Sequence, residues 1–324
     1  MAEQTQDINA TIGHKTFFVG ADTTILPETF LEDLVAYGFE AYRIQESSAK
    51  VLQQKLELTA QLFPNSFFFF YIDMPLTGLK WQEIIQQFTE SHVEDASSGL
   101  LYTKRSSEND CLLIERRYKS MNLKCGAIEL GLKRTQNFPL FLVQLEKCGA
   151  RGKRKNIRVH CGASSTVTFF IREANKRISA AMMDFSINHF SCIISKDDEM
   201  PPYDTYEDVL VQTSGIRFRT NCKRIMDRDS ASGRLCVFVF LQKNGVPGLG
   251  DDTKFKVQSK IYELATDPIR LQQQEAYSVF LKYKREDIPL EAVCAQAMQE
   301  YRLAKKKEQE QEHVQDKEKE ASPS

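Results

Sequence analysis

The sequence predicts an α/β module on a parallel sheet, then a small all-β antiparallel barrel, then a C-terminal helix. Three observations carry that prediction. Up to about residue 145, short apolar runs of strand length alternate with segments whose apolar residues recur at helical spacing. Beyond Gly149 the runs become rich in β-branched and aromatic residues and are bounded by turn residues. After Lys305 the chain is dominated by Lys, Glu and Gln with no apolar face. A length of 324 residues fits roughly two domains of about 100 to 200 residues each. The boundaries are placed at 1–145, 146–282 and 283–324, the last a helix that frays into a charged, disordered tail.

The first module begins with Thr16-Phe17-Phe18-Val19, a buried strand stopped by Gly20. A helix follows from Pro27 to Gly38, opened by proline and acid and closed by glycine. A strand over 39–44 and a helix over 48–63 come next. The run Phe67-Phe68-Phe69-Phe70-Tyr71-Ile72 is apolar throughout, as a central parallel strand covered on both faces must be. A helix over 81–88, a strand over 99–103, a helix over 106–119 and a short strand over 127–130 complete an alternation with right-handed crossovers.

At Asp73-Met74-Pro75-Leu76-Thr77-Gly78 this module resembles the phosphoacceptor corner of response-regulator receiver domains. It departs from that pattern in three ways. Asp73 touches Met74 instead of preceding it by three, the acidic pair is reduced to Asp22, and no lysine follows the fifth strand. One displaced carboxylate is a poor start for an octahedral magnesium site. The module is therefore read as a pseudo-receiver that serves dimerisation or partner docking, with Asp73 capping a loop.

In the second module, residues 166–171, 178–183, 190–194, 215–219 and 235–241 read as strands. Ile216 and Phe218 alternate with Arg217 and Arg219 at the period of a half-buried antiparallel strand. Residues 197–206 form a long loop and 244–252 another. The segment 257–281 reads as helix, broken at Pro268, with Ile261, Leu264, Ile269 and Phe280 expected to close the barrel bottom. Residues 289–312 carry a loose apolar stripe of Leu290, Val293, Met298 and Leu303 on a further helix.

Two polar clusters flank the first barrel strands. One is Arg151-Gly152-Lys153-Arg154-Lys155-Asn156-Ile157-Arg158, and the other is Asp184-Phe185-Ser186-Ile187-Asn188-His189. Their order and spacing resemble the PilZ domain, which pairs an RxxxR element ahead of a six-stranded barrel with a [D/N]xSxxG turn between two of its strands. The resemblance implies that cyclic di-GMP is the ligand and that no other cofactor is needed. It also implies that the basic segment folds over a ligand sitting on the barrel, and that the output is a partner-mediated one such as motility or virulence control. Guanidinium groups suit guanine O6 and N7 or phosphate in a way lysine does not. Arg154 and Arg158 are thus the leading ligand contacts, with Arg151 beside them. Asp184 accepts from a guanine edge, and Ser186 serves base or phosphate. Asn188 and His189 complete the set. His189 stands where the family has glycine, so a positive φ there would be strained, unless Asn188 supplies the left-handed residue.

A net charge of −1 excludes a global field for nucleic acid or lipid, so no specific nucleic-acid partner is expected. No apolar run reaches the roughly 18 residues of a membrane span, and the polar leader is unlike a signal peptide, which points to the cytoplasm. The eight cysteines are scattered singly, without metal spacing, and read mostly as core residues. No histidine neighbours a candidate nucleophile, so an enzyme is not expected. Two alternatives stand beside the receptor reading. One is a degenerate barrel that binds a protein partner, through the N-terminal domain or the C-terminal helix, without nucleotide. The other is a response regulator phosphorylated at Asp73.

Overall fold

The computed structural model describes residues 14–104, 108–119, 121, 123–131, 133–152, 154–162, 164–198, 200–203, 205–283 and 289–320. The polar leader, the Ser106 start of the fourth helix, Lys153 of the basic segment and residues 321–324 lie outside them. The chain divides into two compact units. Of the described residues, one comprises 14–155 together with Thr266–Ala304, and the other comprises Asn156–Ala265 and 305–320.

The first unit is a doubly wound α/β sheet. Strands β1 (Lys15–Val19), β2 (Glu40–Ile44), β3 (Ser66–Tyr71), β4 (Ala96–Thr103) and β5 (Ala127–Leu130) are all parallel, in the order β2-β1-β3-β4-β5. Helices α1 (Glu28–Ala36), α2 (Ala49–Leu62), α3 (Trp81–Ser91) and α4 (Glu108–Lys119) alternate with the strands. Phe68, Phe69 and Phe70 of β3 are fully buried, which accounts for the uninterrupted apolar run. Phe68 stacks on Phe17 at 5.2 Å, and Phe69 stacks on Phe18 at 5.7 Å. One element went unread in the sequence, helix α5 (Asn137–Lys147). Its Phe141 meets Phe18 edge-on at 5.4 Å. The signals were Pro139 in the first turn and the helical spacing of Phe138, Phe141 and Leu145.

The second unit is a closed antiparallel barrel of six strands. They are β7 (Thr166–Ile171), β8 (Lys176–Phe185), β9 (His189–Ile194), β10 (Tyr206–Thr213), β11 (Ile216–Ser230) and β12 (Gly233–Leu241). The ring runs β8-β7-β10-β11-β12-β9 and shuts through the β8–β9 pairing. Closure leaves the ring without an edge. The short strand β6 (Val159–His160) adds to β8. Inward residues such as Val167, Phe169, Ile178, Phe190 and Phe238 fill the interior, and Phe190 stacks on Phe238 at 5.0 Å. Strand β10 was also unread, its start being assigned to the preceding loop, and β11 runs well past Arg219.

The C-terminal helices correct three expectations. Helix α6 (Asp251–Tyr283) continues through Pro268 as one helix. Proline removes one backbone donor, and burial on either side of it outweighs that loss: Ile261 and Ile269 are both buried. Its second half also belongs to the α/β unit instead of closing the barrel. Ile269 joins the core of Phe68 and Leu56, and Phe280 packs beside a cluster formed by Leu58, Ala276, Val279 and Val293. Gln273 donates to the Thr59 hydroxyl at 3.0 Å. Helix α7 (Leu290–Glu320) runs past Glu312, where the apolar stripe suggested an end, because Lys, Glu and Gln are strong helix formers.

Candidate ligand site on the barrel

The two polar clusters of the sequence meet where β6 joins β8. In β8 the inward residues are Ile178, Ala180 and Met182, at a period of two. Continued alternation would turn Asp184 into the core and Phe185 out to solvent. A β-bulge between Met182 and Asp184 reverses this. Phe185 becomes fully buried, Met183 is exposed, and Asp184 is half-buried. Bulges re-aim side chains in this way because one extra residue shifts the parity of the strand.

Strand β6 then pairs Val159 with Phe185 and His160 with Asp184, while the Cys161 amide donates to the Met183 carbonyl at 2.9 Å. Arg158, immediately before β6, is carried to Asp184, with Nη1 3.7 Å from Oδ1. His160 and Met183, which the sequence reading did not single out, flank this pair. Their only signal was the break in the period of two at Met183. Burial pushes the Cys161 thiol up to about 12, and at 2.8 Å Ser165 and Thr213 share a buried hydroxyl contact.

The turn after Asp184 is built by Ser186. The Ser186 amide donates to the His189 carbonyl at 2.7 Å, and the Ser186 hydroxyl accepts from the His189 amide at 3.1 Å. Ser186 is 1 % exposed, so its side chain is committed to the turn. The strain anticipated at His189 is absent. Neither Asn188 nor His189 has a positive φ, and His189 is the first residue of β9, opposite Val239. The serine hydroxyl satisfies the amide that a left-handed residue would otherwise leave exposed. The Asn188 carbonyl accepts from the Phe240 amide at 2.9 Å, anchoring the turn to β12. Burial, and then the nearby Arg158 charge, lower the His189 pKa below its ordinary value.

The basic segment is divided between the units. Arg151 belongs to the α/β unit, where it pairs with Glu146 at 2.6 Å and stacks its guanidinium over Phe39 at 5.1 Å. Among the described residues its buried Nε has no hydrogen-bond partner. Arg154 is exposed and in the same unit, whereas Arg158 is in the barrel unit. Arg158, Asp184, Ser186, Asn188 and His189 are therefore brought together within one unit.

The barrel is PilZ-like. Six antiparallel strands close on themselves, and the arginine ahead of the barrel meets the aspartate of the inter-strand turn.

No family model matches the chain, and no curated protein matches it either. Among solved structures, it is similar to the PilZ domain with c-di-GMP of YcgR from Escherichia coli, with 13% identity and a TM-score of 0.30 over 36% of this chain and 95% of that one. It is similar to YcgR in complex with c-di-GMP from Escherichia coli, with 13% identity and a TM-score of 0.32 over 40% of this chain and 51% of that one. It is also similar to the Bacillus subtilis inhibitor of motility MotI/DgrA, with 7% identity and a TM-score of 0.27 over 35% of this chain and 52% of that one. The match thus spans about half the length of the last two proteins.

The acidic corner of the α/β unit is arranged differently from a metal site. An Asp73 carboxylate oxygen accepts from the Thr103 amide at 2.7 Å, tying the ends of β3 and β4 together. Asp22 accepts from the Thr24 and Ile25 amides at 2.8 and 3.1 Å. Among the described residues no group of His, Cys, Asp and Glu is placed to hold a metal ion, and no helix is long and apolar enough to cross a membrane.

Proposed function

We propose that the protein is a cyclic di-GMP-binding effector that acts by binding, not catalysis. The observation that carries this reading is the meeting of Arg158 with Asp184 on the barrel surface, 3.7 Å apart, beside the turn of Ser186, Asn188 and His189. A guanidinium and a carboxylate side by side offer a guanine both of the edges it needs: donors for O6 and N7, and an acceptor for its N1 and N2 hydrogens. In the free protein the two groups neutralise each other, and a bound nucleotide replaces that half-exposed pairing at little cost, since such pairs contribute about 0 to 1 kcal/mol.

In this reading Arg154 adds a second guanidinium, and Arg151 leaves Glu146 and Phe39 to join it. Because those arginines belong to the α/β unit, ligand binding shifts the population of interdomain arrangements by its differential affinity for them. A protein partner, engaged through the α/β unit or α7, passes the signal to an output such as motility or virulence control. The cytoplasm, where the second messenger acts, is the expected location. Calorimetric titration with cyclic di-GMP, with GTP as control and Arg158→Ala beside the parent, tests the reading. Saturable binding lost in the variant supports it, and a flat trace from folded protein overturns it.

One observation favours a second reading, a barrel that docks a protein without nucleotide. The Ser186 hydroxyl, which a ligand-binding role would need available, is already spent within the turn. The same flat trace would select this reading.

A further inference from the structure

The barrel ring is closed, but one of its strands overruns it. Strand β10 starts at Tyr206, opposite Cys222, whereas β11 continues from Lys223 to Ser230 with β12 as its partner on one side. Among the described residues no backbone hydrogen bond reaches 223–230 on the other side. The chain that would extend β10 along this edge carries Pro201 and Pro202, which have no N–H to offer a ladder. In an antiparallel strand the N–H and C=O groups of alternate residues turn toward opposite neighbours. The overrun therefore presents a row of donors and acceptors away from β12, already in strand geometry.

The side chains along this edge are arranged by a β-bulge. Arg224 pairs with Phe238 and Met226 with Val237, so Ile225 is the extra residue that interrupts the alternation. Ile225 and Met226, consecutive in the strand, are both exposed, at 53 % and 46 %. Lys223 and Arg228 are exposed on either side of them, and among the described residues neither has an ion-pair partner. The acids of the same stretch are matched, since Asp227 and Asp229 each lie 3.9 Å from the Arg234 guanidinium. Bulges and charges commonly blunt an open edge. Here the charge left over has one sign, so it repels a second copy of β11 and favours a strand that carries carboxylates.

We propose that the β11 edge from Lys223 to Ser230 is a docking site for an extended segment of a protein partner, one in which carboxylates flank apolar residues. The segment adds to the barrel as a further strand beside β11. Main-chain hydrogen bonds to the open edge supply the attachment, and alternate side chains supply the choice of partner. Its apolar residues cover Ile225 and Met226, and its carboxylates meet Lys223 and Arg228. Both sets of edge groups are built by the barrel unit alone. The proposal does not rest on nucleotide binding, and it assigns partner docking to a surface other than the α/β unit or α7.

The test is fluorescence anisotropy on the full chain with a fluorescein-labelled peptide, Ser-Glu-Thr-Ile-Thr-Val-Thr-Glu-Ser, one strand face of which reads Glu, Ile, Val, Glu. The control peptide has lysine in place of both glutamates. The expected result is saturable binding of the acidic peptide, weaker by about tenfold or more for the control, with amide hydrogen exchange slowed at 223–230 on saturation. Ile225→Lys and Arg228→Glu alter exposed side chains, and each should weaken binding about tenfold, the first by removing apolar burial and the second by reversing charge. If either variant fails to fold, the parent's exchange pattern decides alone. Absence of saturable binding to folded parent, equal binding of the lysine peptide, or protection only outside 223–230 overturns the proposal. Protection of 223–230 that grows with protein concentration, without peptide, overturns it in favour of a second copy of the chain.

Discussion

Arg158 stands 3.7 Å from Asp184 because a single extra residue, Met183, turns the end of β8 over. The bulge puts Phe185 into the barrel and Asp184 outside it, and the β6 pairing of His160 with Asp184 then delivers the arginine. The contact at the centre of the proposed site is thus a product of strand register, and its proposed role in binding and its part in stability can be tested separately.

On the proposed reading, removing the guanidinium removes a bidentate base contact while touching no buried group. Arg158→Ala is expected to weaken cyclic di-GMP binding by about 1 to 3 kcal/mol, roughly 5- to 150-fold. The fold should lose no more than about 1 kcal/mol, the range for a half-exposed ion pair. Calorimetry and urea unfolding on the same preparation read the two quantities. Unchanged affinity would remove Arg158 from the site.

The two modules were legible because their periodicities differ: β3 is apolar throughout since both of its faces are covered, and β7 alternates since one face is wet. Helix α5 and strand β10 escaped notice for physical reasons. Pro139 reads as a breaker unless it is placed in a first turn, where its missing N–H costs nothing. The acidic start of β10, Tyr206-Glu207-Asp208, looks like loop, yet Tyr206 is buried and Asp208 adopts a positive φ at a bulge. The motif residues were visible in the chain, but the mechanism joining them was not, because parity reversal at Met183 depends on β9 pairing across the bulge. Ile269 and Phe280 were apolar enough to be assigned to a core, and only tertiary structure shows that it is the α/β core.

His189 should make stability and binding depend on pH in a defined sense. Burial, and then Arg158, hold its native pKa below the ordinary value near 6.5. As pH falls through about 6.5 the unfolded chain takes up a proton that the folded chain refuses. Stability is therefore full above that value, declines as pH drops toward the lowered native pKa, and levels off below it. His189→Gln should flatten this part of the urea-midpoint profile. An anionic ligand beside the ring reverses the shift, so binding near pH 6 should take up protons. Calorimetry in two buffers of different ionisation enthalpy detects that uptake, and identical heats in both would count against contact between His189 and phosphate.

Ser186 is expected to matter for folding more than for recognition. Its buried hydroxyl accepts from the His189 amide, and alanine leaves that amide unpaired at a cost of about 1 to 3 kcal/mol. Ser186→Ala should lower the urea midpoint accordingly, with binding affected only as far as the turn loosens. Native stability combined with lost binding would instead show that the hydroxyl serves the ligand directly.

Gly38 fixes where the linker leaves the α/β unit. Its φ is +89°, and a Cβ built on it would lie 2.4 Å from the Lys155 carbonyl oxygen. Two costs therefore add in Gly38→Ala. The left-handed backbone alone costs about 1 to 2 kcal/mol for a residue with a Cβ, and a backbone carbonyl, unlike the tip of a side chain, has no rotamer to escape into. The simplest relief is for residues 154 and 155 to lift away from the helix end, since both are exposed. The expected outcome is a loss of more than about 1 kcal/mol in urea unfolding, with faster tryptic cleavage after Arg154 and Lys155 while the sheet stays intact. If stability moves by less than about 0.5 kcal/mol, as for an ordinary surface substitution, the close approach of Lys155 to Gly38 does not hold the linker.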